Sequence, residues 1–525
     1  MARNFNLLSR LYTGTKIRVD TVFELAICSD FLLLSSQSSS AVERETGMAL
    51  IGMLSGSHAS FFTSTSNIQS IESMFCQCLA DMSNEGRVTL AAIRAFASLL
   101  TALPQESDYD HFQTVLASIM SGLVVVIDQV ASNQLSDAAS IAYTESLIDM
   151  ADECSAYFCL QLDKVFQTVF DLIERPALQS SVRRMLVEFV VCICTTSYKM
   201  VRKMRGPQGE KGYFALKFFP ICARMMWGLK DSPDWVTATN TEEEEDAEDE
   251  DMQDSDMGET ALDRVTQALG HRSTFSVISS QLTVLLGSSI WQHQRAGLRI
   301  LGNYLEVSSH ITDKNQIVQH RIEVSNTLTI FSNNSHPQVR AAAFYAVCQM
   351  FVMQGRKLPS ATTGLLLEII LNGMSMNTNP APRIRRNAVL CLMNLVDSSA
   401  TSLVEGWAPR ILTAVMGALV EGPVMVQECC VSCIVSFAES VKGEQLSSYY
   451  DSIMPILQQL LHHAHVTGLE SLWGQTMECC AIVGEASGKE KFAVHAFEMM
   501  RSLENELGEE SEARKYFLKA WVRIA

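Results

Sequence analysis

Three segments of the chain open a helix in the same way. WQHQRAGLRILGNYLEV from Trp291, HPQVRAAAFYAVCQMFV from His336 and APRIRRNAVLCLMNLVD from Ala381 each set an arginine ahead of an apolar helical run. Arg295, Arg340 and Arg385 are spaced 45 and 45 residues apart, and Pro337 and Pro382 share the repeat. Two more units keep the helix and lose the arginine. MVQECCVSCIVSFAES puts Glu428 in the slot and LWGQTMECCAIVGEAS puts Trp473 there, at spacings of 43 and 45.

A second helical pattern lies between these runs each time: IVQHRIEVSNTLTIF, TGLLLEIILNGM, PRILTAVMGALV and YDSIMPILQQLLHH. A helix pair repeating every ~40–47 residues is the HEAT signature. One pair cannot bury its own apolar faces, so the pairs must stack. The first half repeats less cleanly. Its second helices are placed near Arg44, Val88, Tyr143 and Arg183, at spacings of 44, 55 and 40. No alternating β pattern sits beside Asn-Gly turns. The expected fold is all-α: a HEAT-repeat α-α superhelical solenoid of about ten repeats.

Composition agrees. At 525 residues the chain exceeds what one core holds, and 47% of it is apolar. Many of its 15 cysteines lie within apolar helical runs, as at Cys192, Cys194, Cys429, Cys430, Cys433, Cys479 and Cys480. No paired CxxC layout appears, which points to buried reduced thiols and a reducing compartment. The longest uncharged stretches, such as 273–294, carry polar residues throughout, so no membrane partner is expected.

Net charge is −18, of which the run from Glu242 to Asp256 supplies −11. It holds Glu242, Glu243, Glu244, Glu245, Asp246, Glu248, Asp249, Glu250 and Asp251 before Asp254 and Asp256. No basic face announces nucleic-acid binding. An acidic chain with one intense patch suits basic partners. Residues 235–260 are expected as a disordered acidic insertion, because packing would bury unpaired charges. The expected organisation is then a divergent segment 1–39, N-terminal repeats 40–234, the insertion, and central repeats 261–525.

Chemistry-bearing motifs are sparse. His462, His463 and His465 have no acid or cysteine close by in sequence, so no metal is expected. RGPQGEKGYF from Arg205 and GKEKF from Gly488 lack the phosphate-loop order and read as surface loops. Neither GxSxG nor HExxH occurs, so neither an enzyme nor a cofactor is expected.

HPQVRAAAFYAV, SSYYDSIMPILQQLL, GQTMECCAIVGEASGKEKF, YFLKAWVRIA and the acid run followed by GETALDR resemble the importin β-3 class of karyopherins. The resemblance runs from roughly residue 40 to the end and is most specific after Asp234. It implies a monomeric nuclear import receptor that shuttles between cytoplasm and nucleus. Its implied partners are basic protein cargo, the Ran GTPase that triggers release, and phenylalanine-glycine nucleoporins. Family receptors are about twice as long. Their N-terminal repeats, which contribute most to Ran binding, are missing here or replaced by residues 1–39, so Ran binding is expected to be weakened. ARKYFLKAWVRIA, apolar on one face, suggests an array cut in mid-repeat.

The resemblance also bears on residues at the C-terminal ends of the second helices, which in a HEAT array line the concave face. These are Asn303 and Glu306, Asn394 and Asp397, Ser436 and Glu439, and Glu478 and Glu485. Spacings of i, i+3 put Asn303 with Glu306 and Asn394 with Asp397 on one helix face. Composition alone reads them as solvated helix ends. The resemblance makes Asn303, Glu306, Asn394, Asp397, Glu439 and Glu478 a ladder for an extended basic peptide. Carboxylates would attract Lys or Arg, and amides would hold the peptide backbone. The acid run would compete with that ladder for cargo. A HEAT scaffold, or a chaperone for basic proteins without Ran-coupled release, is the alternative.

Overall fold

The computed structural model describes residues 38–62, 68–103, 106–206, 209–210, 212–237, 250–307, 314–441, 444–506 and 514–524. Helices account for almost all of them, and no β-strand occurs among the described residues. The fold is a HEAT-repeat solenoid of stacked helix pairs. It divides into two compact units. One comprises the described residues up to Ile221 with Arg264–Ser273; the other comprises Cys222–Asp263 and the residues from Thr274 on.

The first unit holds α1 (Ala41–Phe62), α2 (Ile68–Leu79), α3 (Arg87–Ala102), α4 (Gln113–Ala131), α5 (Asp137–Phe158), α6 (Leu162–Ile173), α7 (Ser180–Thr196), α8 (Tyr198–Lys203) and the first part of α9 (Tyr213–Trp227). Helices α1, α3, α5 and α7 pack in succession as one row, and α2, α4 and α6 pack in succession as the other. The first row is the set expected from Arg44, Val88, Tyr143 and Arg183. Aromatic rings join its members to one another and to the other row. Phe96 meets Phe75, Phe112 and Tyr157 edge-on at 5.1, 5.7 and 5.4 Å, and Phe158 meets Phe189 at 5.0 Å. Burying a ring such as Phe96 stabilises the stack by about 1.5–3 kcal/mol. Arg183 explains the register between rows. It donates to the carbonyls of Ile173, at the end of α6, and of Arg175 and Leu178 in the connection that follows.

The second unit continues with the rest of α9, α10 (Pro233–Thr237), α11 (Glu250–Leu269) up to Asp263, α12 (His271–Leu286) from Thr274, α13 (Trp291–Val307), α14 (Lys314–Ser332), α15 (Pro337–Gln354), α16 (Ser360–Met374), α17 (Pro382–Ser398), α18 (Thr401–Glu421), α19 (Val424–Ser440), α20 (Glu444–Val466), α21 (Glu470–Ser487), α22 (Lys489–Glu506) and α23 (Arg514–Ile524). Helices α13, α15, α17, α19, α21 and α23 form one row, and α14, α16, α18 and α20 the other. Pro337 and Pro382 each stand at the start of a helix, where the missing N–H breaks no helical bond. Of the repeat arginines Arg385 is buried and Arg295 and Arg340 are half-buried. Arg340 donates to the carbonyls of Asn334 and Ser335 and to Asn379 Oδ1. Burial pulls Arg295 down to about 10 beside Arg299, and its Nη1 donates to Ser255 Oγ at 3.2 Å. Arg385 is 2% exposed.

Two helical stretches, Asp108–Ala131 and Thr401–Glu421, are long and apolar enough to span a bilayer, with mean hydropathies of 1.9 and 1.3. Both are members of the stack. Leu116, Ile119, Leu123 and Ile127 of the first, and Val404, Ile411, Leu412 and Val415 of the second, are buried against neighbouring helices.

The acidic segment departs from the expected loop. Trp235 lies in α10, and the chain from Glu250 onward is the first half of α11. Acids are favoured in a first helical turn, where they face the positive end of the helix dipole. Asp251 also meets Lys230 at 2.7 Å. Further along, Gly258 lies against α9: a Cβ there would sit 2.6 Å from the Cys222 carbonyl. The acids drawn into this packing are paired, Asp251 with Lys230 and the buried Glu259 with Arg299. Glu242, Glu243, Glu244, Glu245, Asp246, Glu248 and Asp249 lie outside the described residues.

Candidate functional site: a polar row on the second helices

The expected ladder falls on successive helices of one row, and much of it is engaged within the fold. At its start α11, α13 and α15 share one polar circuit. Glu259 Oε2 accepts from Arg299 Nε at 2.6 Å, and Glu259 Oε1 accepts from Asn303 Nδ2 at 3.3 Å. Asn303 Oδ1 in turn accepts from the Tyr345 hydroxyl at 2.9 Å. The Arg299 guanidinium lies 3.6 Å from the Tyr345 ring centroid, a close cation–π contact. Burial and the nearby Glu259 carboxylate push the Tyr345 hydroxyl up to about 12. Asn303 therefore has both ends of its amide committed to neighbouring repeats. The Glu306 side chain lies outside the described ones.

The middle of the row is more open. Asn394 and Asp397 line a groove of about 420 Å³ with Val352, Gln354, Lys357 and Ser398. The Asn394 Nδ2 donates to Cys348 Sγ at 2.7 Å. The hydrogen bonds from Cys391 and Asn394 outweigh burial and bring the Cys348 thiol down to about 7. Cys391 is fully buried, its sulfur 2.8 Å from the Phe344 carbonyl oxygen. Asp397 is exposed. Crowding by its neighbours and the carboxylate of Glu439 on α19 both raise its pKa, and a hydrogen bond with Ser436 partly offsets them. Asp397 and Glu439 thus feel each other across one repeat, 42 positions apart.

Toward its end the row is neutralised from within. Lys519 Nζ of α23 lies 3.5 Å from Glu478, and Arg523 lies 2.8 Å from Glu485 and 4.0 Å from Glu439. Glu428, in the arginine slot of its repeat, has a raised pKa from burial and hydrogen-bonds Ser471.

The ladder expectation did not include Glu259, Arg299, Tyr345, Cys348, Lys519 or Arg523. Two of them carried a signal. Arg299 stands one helical turn after Arg295, and Glu259 belongs to the GETALDR segment. The partners across repeats, some 40 residues away, carried none. Among the described residues no cluster of His, Cys, Asp and Glu could hold a metal ion.

Two family models match the chain. The model described as IPO5-like, TPR repeats covers residues 28–168, and the model described as importin repeat covers residues 176–276. Importin subunit beta-3 of Saccharomyces cerevisiae is 22% identical over 466 residues, which is 87% of this chain and 40% of that protein. Among solved structures, Kap121p bound to Pho4p and Kap121p bound to Nup53p each superpose with a TM-score of 0.80 at 21% identity, covering 97% of this chain and 46% of theirs. The chain spans less than half the length of these relatives.

Proposed function

We propose that this chain, a member of the importin-β class of karyopherins, binds basic protein segments along the second helices of its second unit and carries them through the nuclear pore. The groove holding Asn394 and Asp397, with Glu439 one repeat further on, carries the reading. Asp397 offers an exposed carboxylate to a Lys or Arg side chain. Asn394 offers its amide oxygen, since its Nδ2 is already donated. A cation entering the groove relieves the repulsion between Asp397 and Glu439, so binding a basic peptide is electrostatically favoured there. Asn303 is a positioning residue in this reading, because its amide is spent inside the fold.

The cargo class is basic segments of the kind found in nuclear localisation signals, ribosomal proteins and histones. Release on binding Ran-GTP, contact with phenylalanine-glycine nucleoporins, a monomeric state and shuttling between cytoplasm and nucleus complete the proposal. The acid run from Glu242 to Asp249 would compete for the same cargo. A titration with a fluorescent Lys-rich nuclear-localisation peptide at low and high salt tests it. Binding should weaken with salt and be lost in Asp397→Ala/Glu439→Ala, and Ran-GTP should displace the peptide. A complex that persists in Ran-GTP would assign the alternative, a HEAT-repeat binder of basic proteins without coupled release. Failure of any basic peptide or protein to bind at low salt would overturn both.

A further inference from the structure

A basic groove lies in the first unit, on the side of α6 and α9. In a chain of net charge −18, residues 199–217 hold six bases, Lys199, Arg202, Lys203, Arg205, Lys211 and Lys217, against one acid, Glu210. Arg202 is committed: it donates to the Ala268 carbonyl at 2.8 Å and lies over the Tyr198 ring. Arg205 and Lys217 are exposed and, with Lys164 from α6, line an open groove of about 620 Å³. Their contacts leave the charge uncompensated. Lys164 meets the Gln161 amide, Arg205 donates to the backbone carbonyls of Arg202 and Met204, and Lys217 lies 5.9 Å from the Tyr213 ring. Among the described residues none of the three has a carboxylate partner, and Asp163 is the one acid that lines the groove.

The floor is built from Phe166, Phe170 and Phe214. Their rings are spent on one another and on Phe218. Phe166 and Phe170 stack at 5.8 Å, Phe170 and Phe218 at 5.9 Å, and Phe214 and Phe218 at 5.3 Å. Phe166 and Phe214 are 1% and 3% exposed, so no flat ring face is offered to a nucleobase. What remains is a small apolar surface rimmed by three cations. A nucleic-acid strand would gain little there: three phosphate contacts release few counterions, and the strand beyond them meets an acidic protein.

We propose that this groove docks an acidic peptide segment of a partner protein, with its carboxylates on Lys164, Arg205 and Lys217 and an apolar side chain within the groove between them. The site is separate from the acidic row and takes a ligand of opposite charge. The test is fluorescence anisotropy of the full chain with a labelled short peptide of alternating Glu and Leu, the same peptide with Gln for Glu, and a labelled oligouridine. The Glu peptide should bind at low salt and weaken as salt is raised, and the Gln peptide should not bind. The charge-reversing pair Lys164→Glu/Lys217→Glu should cost at least about tenfold in affinity, and Arg205→Ala a smaller loss. Both changes are at exposed positions, so thermal melting should stay as in the unaltered chain, as should binding of a Lys-rich peptide to the other unit. No binding of the Glu peptide at low salt, or undiminished binding by the charge-reversed pair, would overturn the proposal. Tighter binding of oligouridine than of the Glu peptide would overturn it in favour of nucleic acid.

Discussion

The guanidinium of Arg523 lies 2.8 Å from the carboxylate of Glu485. The last described helix thereby brings a positive charge onto a row whose middle is acidic. Arg523 also lies 4.0 Å from Glu439, and Lys519 lies beside Glu478, so positive charge meets three acids of the row. The Arg523→Ala/Lys519→Ala double variant should therefore bind a Lys-rich peptide several-fold more tightly than the unaltered chain, read by anisotropy at low salt. Arg523 and Glu485 are 37% and 56% exposed, and such pairs are worth at most about 1 kcal/mol. Thermal stability should accordingly change little.

Asp397 gives the row a pH dependence of known sign. Its pKa is raised in the folded chain, first by crowding from its neighbours and also by Glu439, above the ordinary value of 3.8. The folded state then holds the proton more tightly than the unfolded state. Stability from this residue is highest below the ordinary value, falls as pH rises through the interval up to the folded pKa, and stays lower above it. Asp397→Asn should remove that fall. Urea unfolding near pH 4 and near pH 7 checks it, with the variant gaining well under about 1 kcal/mol at the higher pH because the group is exposed. Affinity for a basic peptide should rise over the same interval in the unaltered chain and stay flat in the variant.

Gly258 fixes α11 against α9. A Cβ there would approach the Cys222 carbonyl to 2.6 Å and Met225 Cβ to 3.0 Å. The obstacles are main chain and a helix-borne Cβ, neither of which can swing aside. Gly258→Val should destabilise the second unit by about 2–3 kcal/mol, read from the urea midpoint. An unchanged midpoint would mean that α11 does not rest on α9 as described.

Cys348 should be the fastest of the described cysteines to react with iodoacetamide. Hydrogen bonds from Cys391 and Asn394 bring it to about 7, while burial pushes Cys78, Cys192 and Cys480 up to about 11, 12 and 12. Mass spectrometry after a short pulse at several pH values gives the rates. Asn394→Ala removes a donor to the thiolate, and the midpoint of the Cys348 rate profile should move upward.

The helix pairs were legible in the sequence because each repeat restates the same constraint. Arg295, Arg340 and Arg385 recur at a fixed interval, and the apolar runs after them can bury their faces only on the next pair. The acidic segment was less legible. Eleven acids read as unpackable, yet Glu250 and Asp251 begin a helix that buries Gly258, Ala261, Leu262 and Val265, with Asp251 paired to Lys230. The polar row was legible as a set of positions and not as a set of states. Asn303 and Asn394 look equivalent in sequence. Their difference lies in partners from other repeats, Glu259 and Tyr345 for one and Cys348 for the other.

The Glu259–Arg299–Asn303–Tyr345 circuit closes on itself, whereas Asn394 reaches α15 through a single bond to Cys348. Under a tensile load along the second unit these two side-chain links are not equally strong. The closed loop must lose several contacts together, including a charge-assisted one. The Asn394 side chain would part from α15 at one bond, freeing its amide while Asn387 still holds the Ala341 carbonyl and the core between the two helices stays packed.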